Sequence, residues 1–183
     1  EDKRHRAALG KFKSAPVVTL DSTPVSLQVN IEFPEDMEAV KRVGGEGIGL
    51  YRTEFLFMNR EQPPTEEEHF EAYLKVVKAI KGGPVVIRTL DLGADKQVDS
   101  KRHDKPLAAN PALGLRAIRL CLKEPKLFKP QLRAILRVSA LGQVRMMIPM
   151  VSSIQELVQV RKMVADIQTE LTQKSVKFNP SMP

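Results

Sequence analysis

The spacing of hydrophobic positions switches repeatedly along the chain between period two and the three-to-four spacing of a helix face. Apolar Val25, Leu27, Val29 and Ile31 alternate with polar neighbours after the turn signal Asp21-Ser22-Thr23-Pro24, which predicts a first strand over 25–31. Pro34 opens a short helix over 34–43, and Gly44-Gly45 closes it. A second strand over 47–53 runs into the apolar loop 54–58. The clearest helix start follows at Pro63-Pro64-Thr65-Glu66-Glu67-Glu68, where an N-cap threonine and a glutamate three positions on can each satisfy an orphan amide. Phe70, Tyr73, Leu74, Val77 and Ile80 then share one face until Gly82-Gly83-Pro84.

A third strand is predicted over 84–91, followed by a loop over 92–96 and a polar segment without pattern to 109. Asn110-Pro111-Ala112 opens a helix containing Leu113, Arg116, Ala117, Leu120 and Cys121. A second helix starts after Pro125, with Pro130 near its first turn, and runs to Ala140, where Leu141-Gly142 stops it. Residues 144–150 read as a fourth strand, apolar as a sheet covered on both faces requires. Ser152 or Ser153 caps a last helix reaching about Leu171, with Leu157, Val160, Val164 and Ile167 along its buried stripe.

Four successive strand-helix units imply an α/β fold with parallel strands and right-handed crossovers. An eightfold barrel and a doubly wound sheet both satisfy that order. The glycines of Gly44-Gly45-Glu46-Gly47-Ile48-Gly49 lie before a strand instead of between strand and helix, which argues against a dinucleotide-binding domain. A (β/α)8 barrel needs about 250 residues, so four units make about half of one. Residues 1–15 are charged and helix-compatible up to the break at Ser14-Ala15-Pro16, and read as an interdomain linker helix; residues 16–183 hold the truncated barrel.

Composition narrows the function classes. The chain has 183 residues, 42% of them hydrophobic, and a formal net charge of +7. No run of about 18 apolar residues offers a membrane span, and the N-terminus lacks the apolar core of a signal peptide, so the expected location is the cytoplasm. The single cysteine, Cys121, sits in an apolar helical stretch and is expected to be a buried small side chain. The basic residues are scattered, aromatics make up 5%, and no aromatic ladder accompanies the basic clusters, so no nucleic-acid partner is expected.

The candidate chemistry lies at two strand ends. Alternation puts Arg52 in phase with Ile48 and Leu50, and Arg88 in phase with Val86, so both guanidiniums follow apolar residues onto one face. Two planar, permanently charged forks at the rim of a sheet suit a phosphate or a carboxylate. The competing reading is a pair of structural salt bridges.

The residues also carry a resemblance. Gly45-Glu46-Gly47-Ile48-Gly49-Leu50-Tyr51-Arg52-Thr53-Glu54-Phe55-Leu56-Phe57-Met58 is one such run, and Pro64-Thr65-Glu66-Glu67-Glu68 another. Ile87-Arg88-Thr89-Leu90-Asp91-Leu92-Gly93-Ala94-Asp95-Lys96, Asn110-Pro111-Ala112-Leu113-Gly114-Leu115-Arg116-Ala117-Ile118-Arg119 and Gln131-Leu132-Arg133-Ala134-Ile135-Leu136-Arg137 complete the series. Together they resemble the enzyme I family of the bacterial phosphoenolpyruvate:sugar phosphotransferase system, over nearly the whole chain. The resemblance implies the first half of the phosphoenolpyruvate-binding TIM barrel, with Arg52 and Arg88 gripping the substrate phosphate. Lys96, Asn110 and Arg116 are further substrate-binding candidates near the same rim, and Glu54 and Asp91 would hold the arginines in place.

The same resemblance implies a parent phosphotransferase that moves the phosphoryl group of phosphoenolpyruvate to its own histidine and on to a histidine-containing phosphocarrier protein, for sugar uptake. The phosphorylated histidine belongs to a separate N-terminal domain, and the Mg2+ ligands and an acid cysteine to barrel segments after residue 183, so the chain holds neither catalytic nor metal-binding residues and is expected to be inactive alone. His5, His69 and His103 are expected to be solvated surface residues. Open strand edges predict a homo-oligomer. A nitrogen-regulatory relative of enzyme I and a non-catalytic basic interaction module are the alternatives.

Overall fold

The structure, a computed structural model, describes Gly10, residues 15–93 and residues 113–183. Its elements follow the predicted alternation. They are β1 (Gln28–Ile31), a 3-10 turn (Pro34–Asp36) leading into α1 (Met37–Val43), β2 (Gly47–Arg52), a second 3-10 turn (Glu54–Phe57), α2 (Glu66–Ala79), β3 (Val85–Arg88), α3 (Ala117–Lys123), α4 (Pro125–Ser139), β4 (Val144–Met147) and α5 (Ile154–Gln173). No helix among the described residues is long and apolar enough to cross a membrane.

The four strands form one parallel sheet in the order β1-β2-β3-β4. Strand order that follows the chain without reversing is that of a barrel wall, whereas a doubly wound sheet reverses at its switch point. The two architectures left open by the sequence are thereby separated in favour of a partial barrel.

Local chemistry explains the element ends. Gly44 closes α1 in the left-handed region at φ 76°, where a side chain is costly. The capping box on α2 forms as predicted: Thr65 Oγ1 accepts from the Glu68 amide at 3.3 Å, and Glu68 accepts from the Thr65 amide at 2.7 Å. Ser153, the second of the two proposed caps, accepts from the Glu156 amide at 3.2 Å. Gly83 is required by a close approach, since a Cβ there would lie 2.1 Å from the Glu46 carbonyl oxygen.

Helices α1, α2 and α4 cover one face of the sheet. Ile31, Ile48, Tyr51, Val85, Ile87 and Val144 are buried on it, under Val40 of α1, Tyr73, Val76 and Val77 of α2, and Ile135 and Val138 of α4. A second cluster joins Leu90 and Leu92 beyond β3 to Ile118 and Cys121 of α3, Phe128, Leu132 and Leu136 of α4, and Val160, Ile167 and Leu171 of α5. Helix α4 therefore contributes to both clusters and sits at their seam.

Several predicted boundaries move. β1 starts at Gln28, leaving Val25 and Leu27 exposed before the sheet. The start of the helix predicted at Asn110 lies outside the described residues; the helix observed begins at Ala117, so Leu113 and Arg116 precede it. Pro130 sits inside α4 instead of in its first turn. β4 ends at Met147 and alternates in burial, because only its Val144 and Met146 side meets the helices while Arg145 and Met147 are exposed on the uncovered face. Leu157 of α5 is exposed, and the buried stripe runs through Val160, Ile167 and Leu171.

Candidate functional site

The uncovered face ends in a row of side chains at the C-terminal edge of the sheet, where Arg52 pairs with Arg88 and Arg88 with Met147 in register. Arg88 is in phase with Val86, as expected. Arg52 is in phase with Leu50 but not with Ile48, because β2 carries an extra residue: Val29 and Asn30 of β1 face Ile48 and Leu50, and Val85 and Ile87 of β3 face Ile48 and Tyr51. The bulge turns Ile48 and Tyr51 both toward the helices and leaves Arg52 beside Arg88 on the open face.

Each guanidinium is held by carboxylates. Arg52 Nη1 donates to Glu32 Oε1 at 2.6 Å. Arg88 donates through Nη2 to Glu54 Oε1, and its Nη1 lies 3.2 Å from Asp91 Oδ2. The second oxygen of Asp91 accepts from Arg116 Nη2 at 3.0 Å. Glu54, Arg88, Asp91 and Arg116 thus form one continuous chain of charges with Arg52 and Glu32 alongside, and the six charges sum to zero. Glu54 and Asp91 take the supporting part expected of them, but for Arg88 and Arg116; Arg52 has Glu32.

Hydrogen-bonding capacity is left over. The Nε atoms of Arg88 and Arg116 and Glu54 Oε2 are buried without a partner among the described residues. A buried donor left unpaired costs about 1–3 kcal/mol. Arg116 is brought in by its backbone: residue 116 bridges to Gly93, and the Ala117 amide donates to the Leu92 carbonyl at 3.0 Å. Ala117, buried, takes φ 48°, a left-handed conformation that a non-glycine residue adopts at a cost of order 1–3 kcal/mol. Lys96 and Asn110 lie outside the described residues.

Behind the arginines lies a buried polar network. Gln131 of α4 accepts from the Leu90 amide at 2.9 Å and donates to Thr53 Oγ1 at 2.8 Å and to Tyr73 Oη at 3.1 Å. The Thr53 hydroxyl donates to the Arg88 carbonyl at 2.7 Å, and Tyr73 Oη lies 3.0 Å from His69 Nδ1. Tyr73 Oη accepts from Gln131, and its contact with His69 Nδ1 ties the imidazole into the same network. His69 is therefore not a solvated surface residue: it is fully buried, and burial holds its pKa down to about 4. His5 and His103 lie outside the described residues.

Cys121 is buried as expected, and burial pushes its thiol up to about 12. Among the described residues no group of three or more His, Cys, Asp or Glu side chains is placed to hold a metal ion. Glu32, Glu54 and Asp91, the carboxylates beside the arginines, are already engaged by guanidiniums.

Glu32, Thr53, Gln131 and His69 were not singled out for the site by the sequence reading. Three of them carried a signal: Arg-Thr recurs at 52–53 and 88–89, Gln131 interrupts the apolar stripe of α4, and His69 lies four residues before buried Tyr73.

The family described as "PEP-utilising enzyme, PEP-binding domain" matches residues 6–183. Among curated proteins, a phosphoenolpyruvate-protein phosphotransferase of Staphylococcus carnosus is 53% identical over 153 residues, covering 84% of this chain and 26% of that protein. The corresponding protein of Staphylococcus epidermidis is 47% identical over 98% of this chain and 30% of its own length. That of Cupriavidus necator is 44% identical over 100% of the chain and 33% of its own length. The chain thus spans a third or less of the relatives it matches.

Proposed function

Since the chain belongs to the PEP-utilising enzymes, as part of their PEP-binding domain, we propose that it is the phosphate-gripping half of the barrel of a phosphoenolpyruvate-protein phosphotransferase. The observation that carries this reading is the lateral pair Arg52 and Arg88 on the uncovered face, at the strand ends where barrel enzymes place their sites. Arg52 and Arg88 would hold the phosphate, with Arg116 and, outside the described residues, Lys96 and Asn110 as further substrate-binding candidates. In a loose phosphoryl transfer the charge stays spread over the equatorial oxygens, so cations already positioned at the strand ends are the main contribution of this part of the protein.

The carboxylates tune that grip. With Glu32, Glu54 and Asp91 balancing the three arginines, the ligand's phosphate dianion must take over guanidinium donors from them. Mg2+ would belong to the parent reaction, and among the described residues no carboxylate set is placed to hold it. In the parent, residues 1–15 would link this barrel, residues 16–183 and beyond, to the domain that carries the phosphorylated histidine. The histidine-containing phosphocarrier protein would be reached through that domain, in a cytoplasmic homo-oligomer serving sugar uptake.

Calorimetric titration of the 183-residue chain with phosphoenolpyruvate tests the grip. The expected result is weak, saturable binding that Arg52→Ala and Arg88→Ala each abolish, with pyruvate a far poorer ligand. Binding that survives both substitutions would remove the arginines from the site and leave them as structural ion pairs.

A further inference from the structure

We propose that Gln131 is a positioning residue for the arginine pair, setting the separation of Arg52 and Arg88 from behind the sheet. This rests on the phosphoenolpyruvate reading for its consequence in binding, but not for its geometry. The ladder between β2 and β3 ends at the Arg52 and Arg88 pair. One residue further on, the lateral connection is made by side chains: Thr53 donates to the Arg88 carbonyl at 2.7 Å, and Gln131 fixes Thr53 at 2.8 Å while accepting from the Leu90 amide at 2.9 Å. A single fully buried amide group therefore spans both strand ends just past the arginines.

The span is rigid because the amide is saturated. Both N-H groups and the carbonyl oxygen of Gln131 are used, the second N-H reaching Tyr73 Oη at 3.1 Å. Tyr73 in turn is held by His69 of the same helix, α2. Gln131 itself rides on α4, at the seam of both hydrophobic clusters, so it cannot shift without repacking them. Hydrophobic packing alone would tolerate small slides of one strand end against the other; directional bonds to Thr53 and Leu90 do not.

The test uses the 183-residue chain with Gln131→Met, Thr53→Val and Thr53→Ser, read by calorimetry with phosphoenolpyruvate and by the 15N resonances of the arginine Nε-H groups. Gln131→Met and Thr53→Val are expected to weaken binding about tenfold, the effect of misdirecting one charged hydrogen bond, and to move the Arg52 and Arg88 resonances together, while Thr53→Ser restores both. Unchanged affinity and unmoved arginine resonances, with only a lower melting temperature, would overturn the proposal and leave Gln131 a structural residue. If the unsubstituted chain fails to bind phosphoenolpyruvate, the ligand reading falls alone, and the resonances still decide the positioning role. If Gln131→Met does not fold, the Thr53→Val and Thr53→Ser pair decides it.

Discussion

Arg52 and Arg88 occupy one row of the sheet, yet removing them should have very different costs for folding. The guanidinium of Arg52 and its partner Glu32 are 40% and 37% exposed, a pair in which Coulomb attraction is screened by water. Such pairs contribute about 0–1 kcal/mol, so Arg52→Ala should lower stability by no more than about 1 kcal/mol. Arg88 is 18% exposed and faces Glu54 and Asp91, themselves 13% and 15% exposed. Truncating it strands two poorly hydrated carboxylates, of which Asp91 keeps Arg116 and Glu54 keeps nothing among the described residues. Breaking a buried pair by removing one partner costs about 3–5 kcal/mol, and partial exposure and the retained Arg116 contact reduce that to about 2–3 kcal/mol. Urea denaturation at neutral pH measures both. Arg52 then becomes the clean probe of function, because its alanine variant should lose ligand while staying folded. Equal destabilisation by the two substitutions, or a larger loss for Arg52, would refute the account of the charges at this edge.

Three further outcomes follow from the same structure. His69 is buried with its pKa held at about 4, against 6.5 for the free group. The unfolded chain therefore takes up a proton that the folded chain refuses, and about 3 kcal/mol of stability should disappear as pH falls from 6.5 to about 4; urea titrations across that window should show the loss, and His69→Phe should reduce it. Thr65→Ala removes the hydroxyl cap of α2 and should cost about 1 kcal/mol, whereas Thr65→Ser should be near neutral, both read from thermal melts. Gly83→Ala forces a methyl against the Glu46 carbonyl oxygen and should destabilise by about 1–3 kcal/mol in the same assay.

What was legible in the sequence was whatever depends on near neighbours. The capping boxes at Thr65 and Ser153, the glycine stop at Gly44 and the alternation leading into Arg88 each need only a few consecutive residues. Strand order was not legible, because the four βα units fit two architectures until the lateral pairing is seen. His69 illustrates the other limit. A polar residue can be buried when partners satisfy it, and its network runs through Tyr73 to Gln131, 58 residues beyond Tyr73 in sequence. Nothing within its own helix could reveal that, although its spacing from Tyr73 put it on the buried face.

The bulge in β2 shows how one residue decides whether Arg52 and Arg88 share a row. In an unbroken strand with Arg52 on the open face, Ile48 and Leu50 would share that face and Tyr51 would be joined by Gly49 and Gly47 toward the helices. Two glycines offer nothing to pack against α2, and the core would lose Ile48. With one extra residue, Gly49 falls opposite the step from Val29 to Asn30, Ile48 and Tyr51 both enter the core, and Tyr51 meets Tyr73 edge to face at 5.7 Å. A Cβ at Gly49 would come within 3.1 Å of the Gln28 side chain, a close approach that glycine allows. The irregularity therefore serves both sides of the sheet. It supplies the core with its isoleucine and tyrosine, and it delivers Arg52 to the same row as Arg88, where a pair of guanidiniums can act on one anion.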